Sequence, residues 1–370
     1  MPDLCLCLQV HLPVHLLPQD AMGARGRFCF EDHAAADAVL DRLAESCYLP
    51  ANRILRQAID ENGGRFRIAL SIGGAAIERM RHHRPDVLES FRQLVATGGV
   101  ELLAEPWHHS LAFLHSNREF DRQVDLHLQE MDRIFHVRPR VFLNSDLIYN
   151  DAIAAKAETM GFDGVMADGG EACELLRAPD TARIKTLPRN TYLSTELAGN
   201  KYNSTHFSRL LMECHGDLLV LLLRYESLAG VDGINVLKLD FWQSFPTIVR
   251  DSGLQWVTPA EAVDLYQALR EHPCPRLTSW GGPDGQRGPW EGNELQVSIM
   301  ERVHEMEKRV HASGDVEALD AWARLQASWH FHALATASAL QNPYTGPADG
   351  HDRLMAALDW LEAELPGAAG

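Results

Sequence analysis

The segment LLVLLLRY, Leu218–Tyr225, constrains the fold of this chain most strongly. Its six consecutive apolar residues leave no polar face, as expected of a strand that is buried on both sides of a parallel sheet. Other short apolar segments precede it and alternate with longer segments of helical spacing. Such repeated strand-then-helix units predict a parallel α/β architecture.

Seven strands are predicted over about 260 residues, which suggests a closed or nearly closed barrel. They are Leu4–Val10, Phe66–Ile72, Val100–Ala104, Val141–Asn144, Gly164–Ala167, Leu218–Tyr225 and Val236–Asp240. Helical spacing is seen in Asp32–Leu40, Ala75–Ala96 and Ser116–Phe135. The predicted fold class is therefore α/β, a (β/α)7-type barrel followed by a helical C-terminal domain.

The pattern changes after Trp256. A loop rich in Gly and Pro runs from Pro273 to Asn293, and helical spacing then continues to nearly the end of the chain. The predicted helices there are Glu294–Ala312, Val316–Leu340 and Asp352–Glu364. We therefore predict a barrel domain over residues 1–269 and a helical domain over residues 270–370.

Charge and composition exclude several functions. The net charge is −17 and no cluster of basic residues occurs, so nucleic acid and anionic membrane surfaces are not expected as partners. No apolar run approaches the roughly 20 residues of a membrane span, and the apolar start lacks the basic residues of a signal peptide. Seven cysteines without a CxxC pair indicate a reducing, cytoplasmic compartment. An uncharged small molecule or a sugar suits this balance better.

Polar residues gather where the predicted strands end, which is where parallel barrels carry their chemistry. Two carboxylates that face one bond suit glycoside cleavage, and tryptophan rings offer flat faces to sugars. The residues at these strand ends are His11, Glu105 with Trp107, His108 and His109, Asn144–Asp146, Asp168, and Asp240 with Trp242.

Histidine and aspartate are also common metal ligands, so a metal site is an alternative. His11 and His15 are four residues apart, but Pro13 lies between them at a strand end and their side chains need not converge. His108 and His109 are adjacent and point in different directions, and no HExxH motif occurs. We therefore expect no metal and no other cofactor. A metal-dependent deacetylase remains the alternative that bound metal would indicate.

Six segments, in order along the chain, resemble glycoside hydrolase family 57, and specifically its short α-amylase-like branch. HLP at His11 resembles the family's HQP, and GGVELLAEPWHHSLAFL, from Gly98, is similar to VEfLaETyyHSLa. VFLNSDLIYND, from Val141, resembles the nucleophile segment vFRNTELIYnd, and VLKLDFWQSF, from Val236, is taken as the counterpart of the acid/base segment mDYETFGEH. RLTSWGGPDGQRGPWEGNELQ and ARLQASWHFHAL resemble SWAD…aWlGNeMQ and LQtSDHfYYM.

The resemblance implies a seven-stranded barrel with a helical C-terminal domain that acts on α-1,4-glucans with retention. By position, it implies Asp146 as the nucleophile and Asp240 as the acid/base. An α-glucan or maltooligosaccharide is the expected partner. Four residues fall on positions that line the sugar cleft in such enzymes: His11, Glu105, His109 and His330. Three tryptophans are candidate stacking platforms: Trp107, Trp242 and Trp280.

The chain departs from the family at several of these positions. Asp146 stands where the family has Glu, which withdraws the carboxylate by about 1.5 Å, one carbon–carbon bond. Leu12 replaces a Gln, Trp329 an Asp, and Thr195 another Asp. The backbone compensates for the shorter Asp146, or the gap admits water and gives slow or inverting hydrolysis, or the site only binds. A retaining α-amylase-like hydrolase is the leading prediction, and a non-catalytic α-glucan-binding homologue is its rival.

Overall fold

A computed structural model describes residues 1–23, 26–199, 203–229, 235–268, 270–280, 288–335 and 343–365. Its strands are β1 (Asp3–Val10), β2 (Ile68–Ile72), β3 (Val100–Leu102), β4 (Val141–Phe142), β5 (Gly164–Asp168), β6 (Leu176–Arg177), β7 (Lys185–Arg189), β8 (Leu218–Arg224) and β9 (Arg270–Glu271). Seven of them form a parallel sheet in the order β3-β2-β1-β8-β7-β5-β4. The short β6 pairs with β7 and β9.

The sheet curls until its two outer strands meet. Just beyond β3, the Ala104 amide donates to the Val141 carbonyl at 3.0 Å, and the Leu143 amide donates to the Ala104 carbonyl at 2.8 Å. This single parallel bridge joins β3 to β4. The predicted α/β fold is confirmed, because seven parallel strands form a curled half-barrel that C-terminal helices follow.

Fifteen α-helices are found in the described part of the chain. Several begin at a residue whose side chain accepts from a backbone amide of the first turn, such as Asp32, Ser116 and Asn150. They are α1 (His33–Leu43), α2 (Leu49–Glu61), α3 (Gly74–His82), α4 (Pro85–Val95), α5 (Asn117–Phe135), α6 (Asp151–Thr159), α7 (Thr191–Ala198), α8 (Ser204–Met212), α9 (Val236–Asp251), α10 (Pro259–Leu265), α11 (Gly288–Glu291), α12 (Glu294–Ser313), α13 (Val316–Arg324), α14 (Ser328–Leu334) and α15 (Pro347–Glu364). None of the helices described here is long and apolar enough to cross a membrane.

One predicted strand is wrong. Val236–Asp240 is the first turn and a half of α9, which begins after Asn235, whose side chain accepts from the Lys238 amide at 3.2 Å. The seventh strand of the sheet is instead β7, whose sequence KTLPR carries no apolar run. The other six predicted strands are confirmed, with ends shifted by one or two residues.

The C-terminal segments are helical as predicted, and α12 and α15 match two of the three predicted helices. The third, Val316–Leu340, is split into α13 and α14, and residues 336–340 lie outside the described part of the chain. These helices share a core with the barrel, because Val303, Trp322 and Leu358 belong to the same apolar cluster as Phe142. The division into domains at residues 269 and 270 stays a prediction.

The two faces of β8 separate an outer core from an inner one. Leu219, Leu221 and Leu223 pack into the large core that includes helix residues. Leu218, Val220 and Leu222 belong to a separate cluster with inner residues of the other strands, such as Cys7, Leu103, Met166 and Leu187. Because side chains alternate along a strand, a residue two positions after an inner one also faces inward. Arg224 follows the inward-facing Leu222 by two positions and therefore lies on the inner face.

Candidate active site

Polar side chains cluster on the inner face at the carboxyl ends of the strands, and we call this region the barrel mouth. A short 3-10 turn directly after β4, Ser145–Leu147, adds Asp146 to it. Each of the other members of the mouth lies an even number of residues after an inward-facing residue of its strand, so it also faces inward. They are His11 after β1, Glu105 after β3, Asp168 at the end of β5, Arg189 at the end of β7 and Arg224 at the end of β8.

Asp146 is buried and held between two histidines. Its Oδ2 lies 3.2 Å from His332 Nε2, and its Oδ1 lies 3.7 Å from His109 Nε2. The Asp146 amide nitrogen is also 3.2 Å from His109 Nε2, and His109 Nδ1 lies 3.1 Å from Glu105 Oε2. A neutral His109 accepts the amide N–H at Nε2, whereas a protonated one attracts Oδ1. The chain of contacts therefore runs from Glu105 through His109 and Asp146 to His332.

The electrostatics of this chain keep Asp146 ionised. Burial alone raises the pKa of Asp146, but the charge of His332 and the hydrogen bond from His109 outweigh it and hold the pKa well below its usual range. Burial lowers the pKa of His109, but its hydrogen bonds to Asp146 and Glu105 outweigh that effect and raise the pKa to about 9. Asp146 can therefore accept hydroxyl hydrogen bonds or act as a nucleophile at neutral pH, but it holds no proton to donate.

The backbone is strained at the same place. His109, Asp146 and Leu147 have φ values of 50°, 51° and 54°, which lie in the left-handed region that favours glycine. Each such residue costs on the order of 1–3 kcal/mol and persists only where the surrounding structure holds it. Here the Ser328 amide donates to the His109 carbonyl at 3.0 Å, and the Trp280 amide donates to the Asp146 carbonyl at 3.3 Å. Strain concentrated around one carboxylate favours a functional role for it.

His11 lies beside this chain of contacts, and its role in lining a sugar cleft stays a prediction. Its ring centroid is 4.3 Å from that of His109 and 5.1 Å from that of Trp329. Burial and the charges of His109 and Arg224 lower the pKa of His11 well below its usual range, so the ring is neutral. Trp329, where the family branch has Asp, packs against this ring and donates from Nε1 to the Val14 carbonyl at 2.8 Å.

His330 is not on the open surface of the mouth. It is fully buried, and neither of its ring nitrogens has a hydrogen-bond partner among the described residues. Burial lowers its pKa to about 3. The residue of this helix that contacts Asp146 is His332, which sequence reasoning missed. The sequence signal for His332 was weak, because it consists only of the position of His330 and His332 on either side of the core residue Phe331.

Two of the three predicted stacking platforms are wrong. Trp107 is 3% exposed, donates from Nε1 to Glu78 Oε1 at 3.2 Å and packs so closely on Gly74 that a Cβ there would meet its ring. Trp242 is 2% exposed and packs with Phe245 on the core face of α9. A sugar cannot stack on a buried ring, so both are packing residues.

The third candidate, Trp280, remains a possible platform. It is half-buried, and its amide contacts the turn that carries Asp146. The Arg189 guanidinium lies 5.5 Å from its ring centroid. Its role in stacking stays a prediction.

Asp240 is not at a strand end and is not in the barrel mouth's set of inner residues. It is exposed on α9, where its carbonyl accepts from Ser244 Oγ at 3.0 Å. Among the described residues, no hydrogen bond or ion pair links Asp240 to Asp146. The expectation that Asp240 ends a strand on the same rim as Asp146 is therefore wrong, because the segment before Asp240 is helical.

The end of β8 supplies a better counterpart for the segment mDYETFGEH. The chain reads LRYESLAG from Leu223, so Tyr225 and Glu226 coincide with the YE of that form, and Arg224 takes the place of the Asp. Glu226 does not replace it, because Glu226 is occupied by the Tyr48 hydroxyl, which donates to it at 2.9 Å. Burial raises the pKa of Glu226. In this alignment an arginine stands at the position of the family's acid/base Asp, whereas the initial resemblance had placed that role on Asp240.

The remaining carboxylates of the mouth are engaged by neighbours. Glu105 contacts His109, and Asp168 accepts from Arg189 Nη1 at 3.1 Å and from the Thr191 hydroxyl at 2.7 Å. Within the described part of the chain, no group of three or more His, Cys, Asp or Glu side chains is arranged to hold a metal ion.

Comparisons with known proteins identify the family. Residues 5–274 match the model of Glycosyl hydrolase family 57. The chain is 28% identical over 290 residues to a Methanocaldococcus jannaschii protein named "Putative alpha-amylase", an alignment that covers 73% of this chain and 61% of that protein. The chain thus matches less than two thirds of this relative's length.

Solved structures share the fold. A family 57 branching enzyme from Pyrococcus horikoshii superposes with a TM-score of 0.72 at 14% identity, covering 96% of this chain and 88% of the other. The α-amylase AmyC from Thermotoga maritima superposes with a TM-score of 0.66 at 13% identity, covering 97% of this chain and 92% of the other. From the family match over most of its length, this chain belongs to glycosyl hydrolase family 57.

Proposed function

We propose that this chain binds α-1,4-glucans in the barrel mouth and does not cleave them by the two-carboxylate mechanism. The observation that carries the proposal is Arg224, which ends β8 and takes the place of the acid/base Asp when LRYE, from Leu223, is aligned with the mDYE of the family segment. An arginine stays protonated at any pH that the protein meets, so it cannot pass a proton to a leaving oxygen.

Retaining cleavage needs a nucleophile and an acid/base carboxyl group about 5–5.5 Å apart. Asp146 meets the requirement for the first, because it is ionised and held by two histidines. The described residues of the mouth offer no exposed second carboxyl group, since Glu105 is fully buried with its Oε2 against His109, and Asp168 is bound to Arg189. The mouth is therefore better suited to holding a sugar than to breaking its glycosidic bond.

Several features support sugar binding. The Asp146 carboxylate can accept from sugar hydroxyls, and the imidazoles of His11 and His332 add further polar atoms beside it. The half-buried Trp280 ring lies next to the same turn. The relatives include an α-amylase and a branching enzyme, and family membership makes an α-glucan the ligand class to propose.

Hydrolysis remains the competing function, and the strained, ionised Asp146 is the observation that favours it. A hydrolase would need its second carboxyl group from elsewhere. Asp240 is exposed on α9, and Asp232 and Asp284 lie outside the described residues. These three aspartates are the variants to make if turnover is found.

The experiment pairs binding with turnover on purified protein. Calorimetry with maltoheptaose should detect binding in roughly the micromolar to millimolar range, and an assay for reducing ends should show none released. Asp146→Asn should weaken binding by about tenfold, because a charged acceptor is lost. Asp240→Asn is the matched control and should leave binding unchanged, since Asp240 is exposed on α9.

Release of reducing ends that Asp146→Asn abolishes would replace this proposal with the hydrolase. Loss of that release in Asp240→Asn would restore the acid/base role expected from the resemblance. Absence of both binding and release would remove the α-glucan assignment altogether.

A further inference from the structure

We propose that the barrel mouth selects a sugar that carries an anionic group, a phosphate ester or a carboxylate, and that Arg224 binds this group. The inference rests on the proposed binding of sugars in the mouth and names the class of sugar. It is carried by the position and the missing partners of Arg224 and its neighbours.

Arg224 points into the mouth. It is the last residue of β8 and follows Leu222, which belongs to the inner cluster, by two positions. Because every second residue of a strand faces the same side, the Arg224 guanidinium lies on the inner face, at the open, carboxyl end of the half-barrel. Its charge also reaches the neighbouring strand, because it contributes to the lowered pKa of His11.

The guanidinium has no partner among the described residues. Arg224 is exposed, and it makes no hydrogen bond or ion pair with any of the described residues. The other arginine of the mouth, Arg189, is bound to Asp168 and to the Leu222 carbonyl. Arg224 is therefore a positive charge in the mouth that is left for a ligand.

Two buried side chains beside Arg224 each have a polar atom with no hydrogen-bond partner among the described residues. Gln9 on β1 is aligned with both Arg224 on β8 and Ser71 on β2, so the three residues form a row across three strands on the inner face. Gln9 is 2% exposed and its Nε2 has no partner, and the Ser71 hydroxyl is likewise buried and unpaired. Buried polar atoms are rarely left unpaired, so this row favours a ligand that brings acceptor atoms.

The opposite side of the mouth is already neutralised. The Asp146 carboxylate is balanced by His109 and His332, so it does not compensate Arg224. The nearby Glu226 accepts a hydrogen bond from Tyr48, and burial raises the pKa of Glu226. Both effects weaken its attraction for the Arg224 guanidinium. A neutral glucan would leave the charge of Arg224 unbalanced, whereas a phosphate or carboxylate matches the two-pronged donor geometry of a guanidinium.

Calorimetry with three trisaccharides tests the proposal: maltotriose, its 6-phosphate ester, and its derivative with a terminal uronic acid. The wild-type protein should bind at least one charged trisaccharide about tenfold more tightly than maltotriose, and added salt should reduce this advantage. Comparison of the two charged ligands tells which anion is preferred.

Arg224→Gln should remove the advantage, so that charged and neutral trisaccharides bind with similar Kd values, because the guanidinium that pairs with the anion is lost. Arg224→Lys keeps the charge without the two-pronged geometry and should retain part of the advantage. Arg138→Gln is the control, since Arg138 is exposed and precedes β4 at the opposite end of the strands. Thermal unfolding checks that each variant is folded.

Equal affinity of the wild type for neutral and charged trisaccharides would overturn the inference, and so would an advantage that survives Arg224→Gln. In both cases binding of maltotriose itself would leave the proposed function standing. Failure of all three ligands to bind would remove the proposed function as well.

Discussion

The ends of β4 and β8 both face the barrel mouth, but they are built differently. After β4, Asp146 is buried, lies on strained backbone and is held by His109 and His332. At the end of β8, Arg224 is exposed and unpaired among the described residues. The first end has the support that a reacting or recognising carboxylate needs, whereas the second presents an unsatisfied cation.

This difference shows how family membership and the proposed loss of cleavage can go together. Catalysis by two carboxylates fails when either one is missing, because each step needs both a nucleophile and a proton donor. Sugar binding does not depend on both. The supported carboxylate at β4 can therefore persist as a binding group after the group at β8 has been replaced.

The largest effect is expected from restoring the missing carboxylate. Arg224→Asp combined with Asp146→Glu places family-like residues at both strand ends. The double variant should release reducing ends from maltoheptaose at least about 100-fold above the wild-type background, the size of a general acid's contribution. Each single variant should stay near background. A double variant that is folded and binds maltoheptaose but shows no gain would mean that the ends of β4 and β8 are not paired as a catalytic site.

The β4 end should also carry a strong pH dependence of stability. The folded pKa of His109 is about 9, above the usual 6.5, so its pairing stabilises the protein fully below about pH 6.5 and is lost as the pH rises to about 9. The loss is up to about 3 kcal/mol in the free energy of unfolding, measured by urea titration at both pH values. Asp146→Asn should flatten this loss, whereas Asp240→Asn should show the wild-type slope. An unchanged slope in Asp146→Asn would separate His109 from Asp146.

A smaller effect is expected at the other end of β3, away from the mouth. Burial raises the pKa of Glu101 to about 7, and this inward-facing carboxyl accepts from the Ala260 amide at 2.8 Å. Because the folded pKa is raised, stability is lost as the pH rises from about 4.5 through 7. Glu101→Gln should therefore raise the free energy of unfolding at pH 8 by about 1 kcal/mol and leave it unchanged at pH 4.

The same variant sharpens the comparison of the strand ends. Glu101→Gln should not alter the Kd for maltoheptaose, because Glu101 lies on β3, four residues before the mouth residue Glu105 that follows this strand. The exposed Glu213→Gln is the control for the pH effect and should leave stability unchanged at both pH values. Weaker sugar binding in Glu101→Gln would show that the mouth extends deeper than its rim.

Much of the fold could be predicted from local patterns. The apolar run of β8 and the helical spacing of α5 and α12 report burial directly, because side-chain periodicity is a property of neighbouring residues. The position of Asp146 at the end of β4 was also predicted, since an apolar strand and a polar turn follow each other in the chain.

The errors arose where local patterns were ambiguous. VLKLD alternates apolar and polar residues like a strand, yet Phe241, Phe245 and Val249 continue it with helical spacing and bury one face of α9. KTLPR has no apolar run, but β7 forms because β5 offers a strand to pair with. The strand-end position given to Asp240 was wrong with this strand, and its acid/base role stays a prediction.

The amino-acid sequence by itself determined the parallel strands, the C-terminal helices and the family. Only the tertiary structure decided that His332 meets Asp146, that Trp107 and Trp242 are buried, and that Arg224 has no partner in the mouth among the described residues. The reason is that these contacts join residues far apart in the chain. Whether such residues meet depends on the order of the strands, their register and the side of the sheet that each residue faces.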